Sequence, residues 1–236
     1  MSDSNDKYIH TAEDGISRCW WGGDHVDYQC YHDEEWGHPE ANDFLLFEKI
    51  CLEGFQSGLS WLTILRKREN FRQAFANFDF GKIALFDEDS VSSLLQNEGI
   101  VRHRGKIEAT INNAHRALEI VDEFGSLAAY IWEWKPDTPE PHIGKQGHDL
   151  PCPSITKTSQ ALSKDLKKRG WKFFGPTTAY AFMQAMGLVN DHMEGCASHK
   201  KVDELRSAFV VPLKNNLQGH NLISKASMAI PYKVGC

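Results

Sequence analysis

The stretch Asn42–Gly54 reads NDFLLFEKICLEG, and its apolar positions Phe44, Phe47, Ile50 and Cys51 fall three to four residues apart. That spacing marks one face of an α-helix, and either Asn42 or Asp43 is chemically suited to cap it. The pattern continues outward. A second helix is predicted from near Ser60 with Leu62, Leu65 and Phe71 inward, and a third after Asp87 with Val91, Leu94 and Leu95, stopping at Gly99. Arg104 to Phe124 gives the longest candidate, ending before Gly125, and Leu127 to Trp134 a shorter one. Helical pattern returns from about Ser159 to Arg169, and again from Pro176 to Met186, where a proline suits the first helical position. No run of clean period-two alternation and no internal repeat interrupts this reading, so the expected fold class is all-α. Five of the nine prolines lie between Pro136 and Pro153, which predicts an irregular connector there. The tail after Cys196 is only weakly periodic.

Composition limits the function classes. The chain has 236 residues, 41% hydrophobic and 25% charged, the balance of a globular protein with room for a large core. No apolar stretch approaches the length needed to cross a bilayer. Met1 to Asp14 is polar and acidic, without a signal-peptide or transit pattern, so a cytoplasmic protein with no membrane contact is expected. Six cysteines, at 19, 30, 51, 152, 196 and 236, are too dispersed for a disulfide framework. A net charge of −6 argues against coating nucleic acid by bulk electrostatics. Charge is uneven, however: residues from Ala197 onward carry +4, which leaves −10 on the rest. Short basic patches occur at Arg66-Lys67-Arg68, at Arg102 to Lys106 and at Lys164 to Lys172, and phosphate contacts need only a local patch. Each patch also fits a solvated helix face.

Glu53 sits among an unusual density of rings. Trp20, Trp21, Tyr28, Tyr31 and Trp36 precede it and Trp61 follows. Rings stack on flat heterocycles, and a carboxylate among them can accept from an exocyclic amine or oppose a cationic ring. The combination suits a pocket for a purine taken out of a base stack; the alternative is an aromatic core with a surface Glu. Leu59, between Gly58 and Ser60-Trp61, is placed to act as an apolar wedge beside a flipped nucleotide, or else to pack at a helix start.

Cys19 and His32 are separated by twelve residues, and His192-x-x-x-Cys196 sets an imidazole and a thiol one helical turn apart. Two thiolates and two imidazoles suit tetrahedral zinc, and four protein ligands would make the site closed and structural. Two unrelated buried cysteines and two ordinary histidines would give the same spacings.

Several long motifs carry a resemblance. Arg18-Cys19-Trp20-Trp21, YQCYHDEEWG (28–37), CLEGFQSGLSW (51–61), RKRENF (66–71), GIVRHRGKI (99–107), LSKDLKKRGWKFF (162–174) and MQAMGLVNDHMEGC (183–196) occur in colinear order. Together they make the chain similar to the 3-methyladenine DNA glycosylase I family. The resemblance implies a helix-hairpin-helix DNA glycosylase fold, with one structural zinc on Cys19, His32, His192 and Cys196 joining the N- and C-terminal segments. It implies a base pocket of Tyr28, Tyr31, Glu53 and Trp61, with Trp21 lining it, and Glu53 and Tyr31 as catalytic groups. It places the hairpin around Arg169 to Ala179, so that Lys168, Arg169, Lys172 and Gly175 would meet DNA phosphates at a helix N-terminus. The run Val189-Asn190-Asp191-His192 puts Asn190 where much of the wider superfamily carries a catalytic Asp.

The implied activity is excision of 3-methyladenine from alkylated double-stranded DNA, by a monomer that releases the free base. A zinc-organised module that senses a base without hydrolysis is the competing expectation. The implied organisation is a polar extension over 1–17, a glycosylase domain over 18–196 and a C-terminal extension over 197–236.

Overall fold

A computed structural model describes residues 6–141 and 152–214. Ten α-helices carry these residues: α1 (Val26–Glu34), α2 (Asp43–Gln56), α3 (Trp61–Ala74), α4 (Phe80–Ile83), α5 (Glu88–Gln96), α6 (Arg104–Phe124), α7 (Leu127–Trp132), α8 (Lys157–Lys168), α9 (Pro176–Ala185) and α10 (Ala197–Ala208). Helix α2 is the hub. Leu46, Phe47, Ile50, Leu52 and Phe55 are almost fully buried, and the helix packs against α3, α6, α7 and α9. Asn42 is its cap, accepting from the backbone N–H groups of Phe44 and Leu45. Asp43 reaches across instead and accepts from the Ala128 N–H in the first turn of α7. The two candidate caps therefore serve two different helices.

Even the charged face of α2 is buried. Arg72 of α3 holds Glu48 through two bonds of 2.8 Å, while Lys49 reaches Glu35 just beyond α1. Gly125 ends α6 in the left-handed conformation, φ 88°, as the sequence predicts. Gly99 does not stop α5. That helix ends at Gln96, and the Gly99 carbonyl accepts from Lys67 and Asn70 of α3. At Gly187, with φ +74°, an added Cβ would lie 2.6 Å from the Pro39 nitrogen and 2.7 Å from the Gly37 carbonyl oxygen. Only glycine lets the segment after α9 pass this close to the one before α2.

A short hairpin departs from the purely helical expectation. Strand β1 (Ile9–Thr11) pairs antiparallel with β2 (Ser17–Cys19), with Ile9 opposite Cys19. Three residues per strand are too few to show alternation in sequence. The pairing crosses position 17, so the residues before the expected domain start are tied to those after it. The weakly periodic tail forms α10 at once after Cys196, and Arg206 donates to the Gly187 and Leu188 carbonyls. Most of the proline-rich connector and the end of the tail lie outside the described residues. Among those described, no helix is long and apolar enough to cross a membrane.

Candidate active site and metal centre

Helix α1 serves two sites from one turn. Tyr28 and Tyr31 gather with residues of α2 and α3, and His32 with Cys19, His192 and Cys196. Beside the two tyrosines stand Glu53, one turn beyond Lys49 on α2, and Trp61, the first residue of α3. Tyr31 and Trp61 lie 5.4 Å apart between ring centroids, and Trp21 meets Tyr28 edge-on at 5.3 Å. Tyr31, Glu53 and Trp61 are each less than a tenth exposed. The alternative of a surface Glu is thereby ruled out.

Among the described residues no hydrogen bond reaches the Glu53 carboxylate, and the buried Trp61 Nε1 donor likewise lacks a partner. Burial pushes Glu53 up to about 7, with nearby Lys49 pulling the other way. Burial, and then the charge of Glu53, push the Tyr28 hydroxyl up. An open acceptor and an open donor between ring faces can together grip a flat, amine-bearing heterocycle.

Lys49 is the residue whose role sequence reasoning missed. Its ammonium is buried, 2.9 Å from the Tyr31 oxygen and 4.3 Å from the Trp61 ring centroid. Glu35 links it to Arg68 of α3, whose guanidinium donates to both Glu35 oxygens at 2.6 Å. Burial raises the Glu35 carboxyl, but Lys49 and Arg68 outweigh it and hold it at about 2. A lysine in FEKI reads as one more surface cation; only its partners, contributed by other helices, reveal it.

The four residues expected to bind metal converge. Cys19, His32, His192 and Cys196 are all buried, with their ligand atoms within 4.8 Å of one another. Cys196 Sγ lies 3.5 Å from His32 Nε2 and 3.6 Å from His192 Nδ1, and Cys19 Sγ lies 3.8 Å from His192 Nδ1. A tetrahedron with metal–sulfur bonds of about 2.3 Å and metal–nitrogen bonds of about 2.05 Å has S–N edges of about 3.6 Å. The quartet fits a metal ion.

The far nitrogen of each imidazole is also anchored, as bound histidines require. His32 Nδ1 lies 2.8 Å from Asp33, which Arg18 grips, and His192 Nε2 lies 3.0 Å from the Trp36 carbonyl. A hydrogen bond from Cys19, and then those from the two imidazoles, push the Cys196 thiol below its ordinary range. Trp21 joins the two sites, with its ring 5.1 Å from the His32 ring and 6.3 Å from that of Tyr31.

The carboxylate position of the wider superfamily is otherwise engaged. The Asn190 amide donates to the His199 carbonyl and to Asp203, and its oxygen accepts from the His192 N–H. Asp191 accepts from Tyr180 and Gln184. Neither residue offers an open carboxylate.

On the opposite side of α2 lies the turn between α8 and α9. An added Cβ on Gly54 would sit 3.3 Å from the Phe173 carbonyl oxygen, so this turn packs directly beside Glu53's backbone. Asn113 of α6 clamps the Lys172 amide on both sides, accepting from its N–H and donating to its carbonyl. Lys168, Lys172 and Gly175 are exposed, and Gly175 with Pro176 opens α9. Leu59 is 42% exposed, so it does not pack as an ordinary helix-start residue. Arg169 differs from the expectation: its guanidinium is paired with Asp165 and Glu123, at 2.7 and 2.6 Å. That pairing makes it a brace between α8 and α6.

The fold and site together define a class: a helical protein with an aromatic cluster around one buried carboxylate, beside four buried residues that could hold a metal ion. Comparison with known proteins narrows it, because the methyladenine glycosylase family profile matches residues 20–199, and the chain belongs to that family. It is 46% identical over 184 residues to DNA-3-methyladenine glycosylase 1 of Escherichia coli K12, covering 78% of this chain and 97% of that protein. A solved 3-methyladenine DNA glycosylase I superposes with a TM-score of 0.70 at 49% identity, over 77% of this chain and 99% of the other. A structure addressing 3-methyladenine recognition by the Staphylococcus aureus glycosylase gives a TM-score of 0.70 at 36% identity, over 77% and 96%.

Proposed function

We propose that this protein is a DNA-3-methyladenine glycosylase, which flips the damaged nucleotide from duplex DNA and hydrolyses its N-glycosidic bond. The observation that carries the reading is the aromatic cluster around the buried Glu53 carboxylate, in a chain of the methyladenine glycosylase family. Methylation at N3 makes the adenine cationic and already a good leaving group, so little acid catalysis is required. Trp61, Tyr28 and Tyr31 stack on or bracket the ring, at about 1–3 kcal/mol per stacked base. Glu53 accepts from the exocyclic amine and opposes the positive ring in a desolvated site. Unmodified adenine is neutral, better stacked in the duplex and a poor leaving group. Release of free 3-methyladenine from methylated duplex DNA tests this directly. Tight binding of the base without release would instead establish a sensing module.

The metal is zinc, one per chain. When bound, it supplies a structural cross-link and no reactive position, because four protein ligands close its shell. Cys19 and His32 anchor the N-terminal hairpin and α1, and His192 and Cys196 the segment before α10.

The α8–turn–α9 unit acts as the helix-hairpin-helix, with the backbone from Gly170 to Gly175 and the side chains of Lys168 and Lys172 on phosphates, and Leu59 filling the gap. The protein works as a monomer in the cytoplasm on chromosomal DNA. Log affinity for duplex DNA should fall with log salt with a slope of only a few, since each neutralised phosphate contributes about 0.9. Charge reversal at Lys168 and Lys172 should weaken DNA binding while sparing affinity for free 3-methyladenine. Equal loss of both would move the DNA face elsewhere.

A further inference from the structure

We propose that Lys49 is a positioning residue: it takes the Tyr31 oxygen as its acceptor and so leaves the Tyr31 hydroxyl hydrogen to the bound base. The inference rests on the reading of Tyr31 and Glu53 as the base-binding pair.

An ammonium group only donates. At 2.9 Å from the Tyr31 oxygen, Lys49 Nζ must therefore use that oxygen as its acceptor, and the single phenolic hydrogen turns away from it. No other hydrogen bond to this hydroxyl occurs among the described residues, so its hydrogen is left for the base. The group stays a phenol, because burial and then the charges of Glu35 and Glu53 hold its acidity far below the ordinary range.

Lys49 itself cannot swing away. It is 2% exposed, lies over the Tyr31 and Trp61 rings at 4.5 and 4.3 Å from their centroids, and is tethered through Glu35 to Arg68. The relay Arg68–Glu35–Lys49–Tyr31 thus runs from α3, past the end of α1, through α2 and back into α1.

One turn along α2, an ionised Glu53 can only accept. The Tyr31 hydroxyl therefore joins the Trp61 Nε1 as a donor offered to the base, with Glu53 as the acceptor. Without Lys49 the Tyr31 hydroxyl rotates freely, and its hydrogen is no longer held for the base.

The test compares wild type, Lys49→Met, Tyr31→Phe and the double variant. Free 3-methyladenine is titrated by tryptophan fluorescence over a pH series, because burial raises the Glu53 pKa to about 7 and lowers that of Lys49. Each single substitution is expected to lower base affinity about 3- to 10-fold, the worth of one hydrogen bond. The double variant should be no worse than Tyr31→Phe, because Lys49 acts through Tyr31. A purely structural role of Lys49 would instead add its loss to that of Tyr31→Phe.

Additive losses, or wild-type affinity in Lys49→Met, would overturn the proposal. Wild-type affinity in Tyr31→Phe would remove the base-pocket reading itself. Methionine preserves the stem, and Arg68 still neutralises Glu35, so the fold is expected to survive. If it does not, Lys49→Gln gives the same readout, since its carboxamide offers Tyr31 an acceptor as well as a donor.

Discussion

Cys196→Ala is expected to abolish metal binding and to unfasten the N-terminal segment from the body of the protein. Structural zinc in small peptides is worth about 10–16 kcal/mol of apparent binding free energy, which is folding free energy. Here the ligands sit on the β-hairpin, α1 and the segment before α10, so the loss falls on those parts. Cys19 would keep its bond from the Met193 N–H and its contact with His192, and Asp33 would still orient His32 toward an empty centre. Because Tyr28 and Tyr31 share α1 with His32, affinity for 3-methyladenine should collapse together with the metal. Elemental analysis, melting temperature and limited proteolysis near residues 18–25 check the three parts. A metal-free variant that melts and binds base like wild type would show that the quartet is only a packed cluster.

Glu53→Gln should lower excision by about 10²-fold, the scale of losing one preorganised electrostatic group. Free-base affinity should fall about 10- to 100-fold, as for a hydrogen bond to a charged partner. The substitution is also expected to alter the pH response. The folded-state pKa of Glu53, about 7, lies above its ordinary 4.5, so the fold favours the protonated acid. That contribution to stability is full below 4.5 and is lost as pH rises through 7. Glutamine cannot ionise, so the variant should melt higher than wild type at pH 8 and no higher at pH 4. The gain is on the order of 3 kcal/mol at most. Excision by wild type should rise with pH through about 7, and that inflection should vanish in the variant. Equal excision by both proteins at pH 8 would take Glu53 out of the mechanism.

What the sequence made legible follows the range of the forces involved. Helices α2 and α6 were readable because their caps and stops, Asn42 and Gly125, act on backbone groups within four residues. The stop assigned to Gly99 failed because that glycine answers to α3, about thirty positions earlier in the chain. The four candidate ligands could be brought together from sequence because thiols and imidazoles are few and chemically distinct, and the structure clusters them. Charged residues carry no such mark. Glu35, Lys49 and Arg68 look like solvated helix faces, and the burial of Lys49 and its pairing with the other two follow only from packing α1, α2 and α3 together. The ion pair of Arg169 was illegible for the same reason, since its partner Glu123 lies 46 positions away. The β-hairpin escaped because its strands are shorter than the period that would reveal them.

The two halves of the metal cage also set a clock. His32 and Cys196 stand 164 positions apart, and Cys19 and His192 stand 173 apart. At 5–20 residues per second, the ribosome delivers the second half about ten to thirty seconds after the first. Throughout that interval the nascent chain holds an unmatched thiol and imidazole, and α1 has nothing to dock its metal-facing side against. Base recognition is therefore among the last properties this polypeptide acquires during its own synthesis. A chain truncated before His192 would carry every residue of the aromatic cluster and still lack the fastening that holds α1 in place.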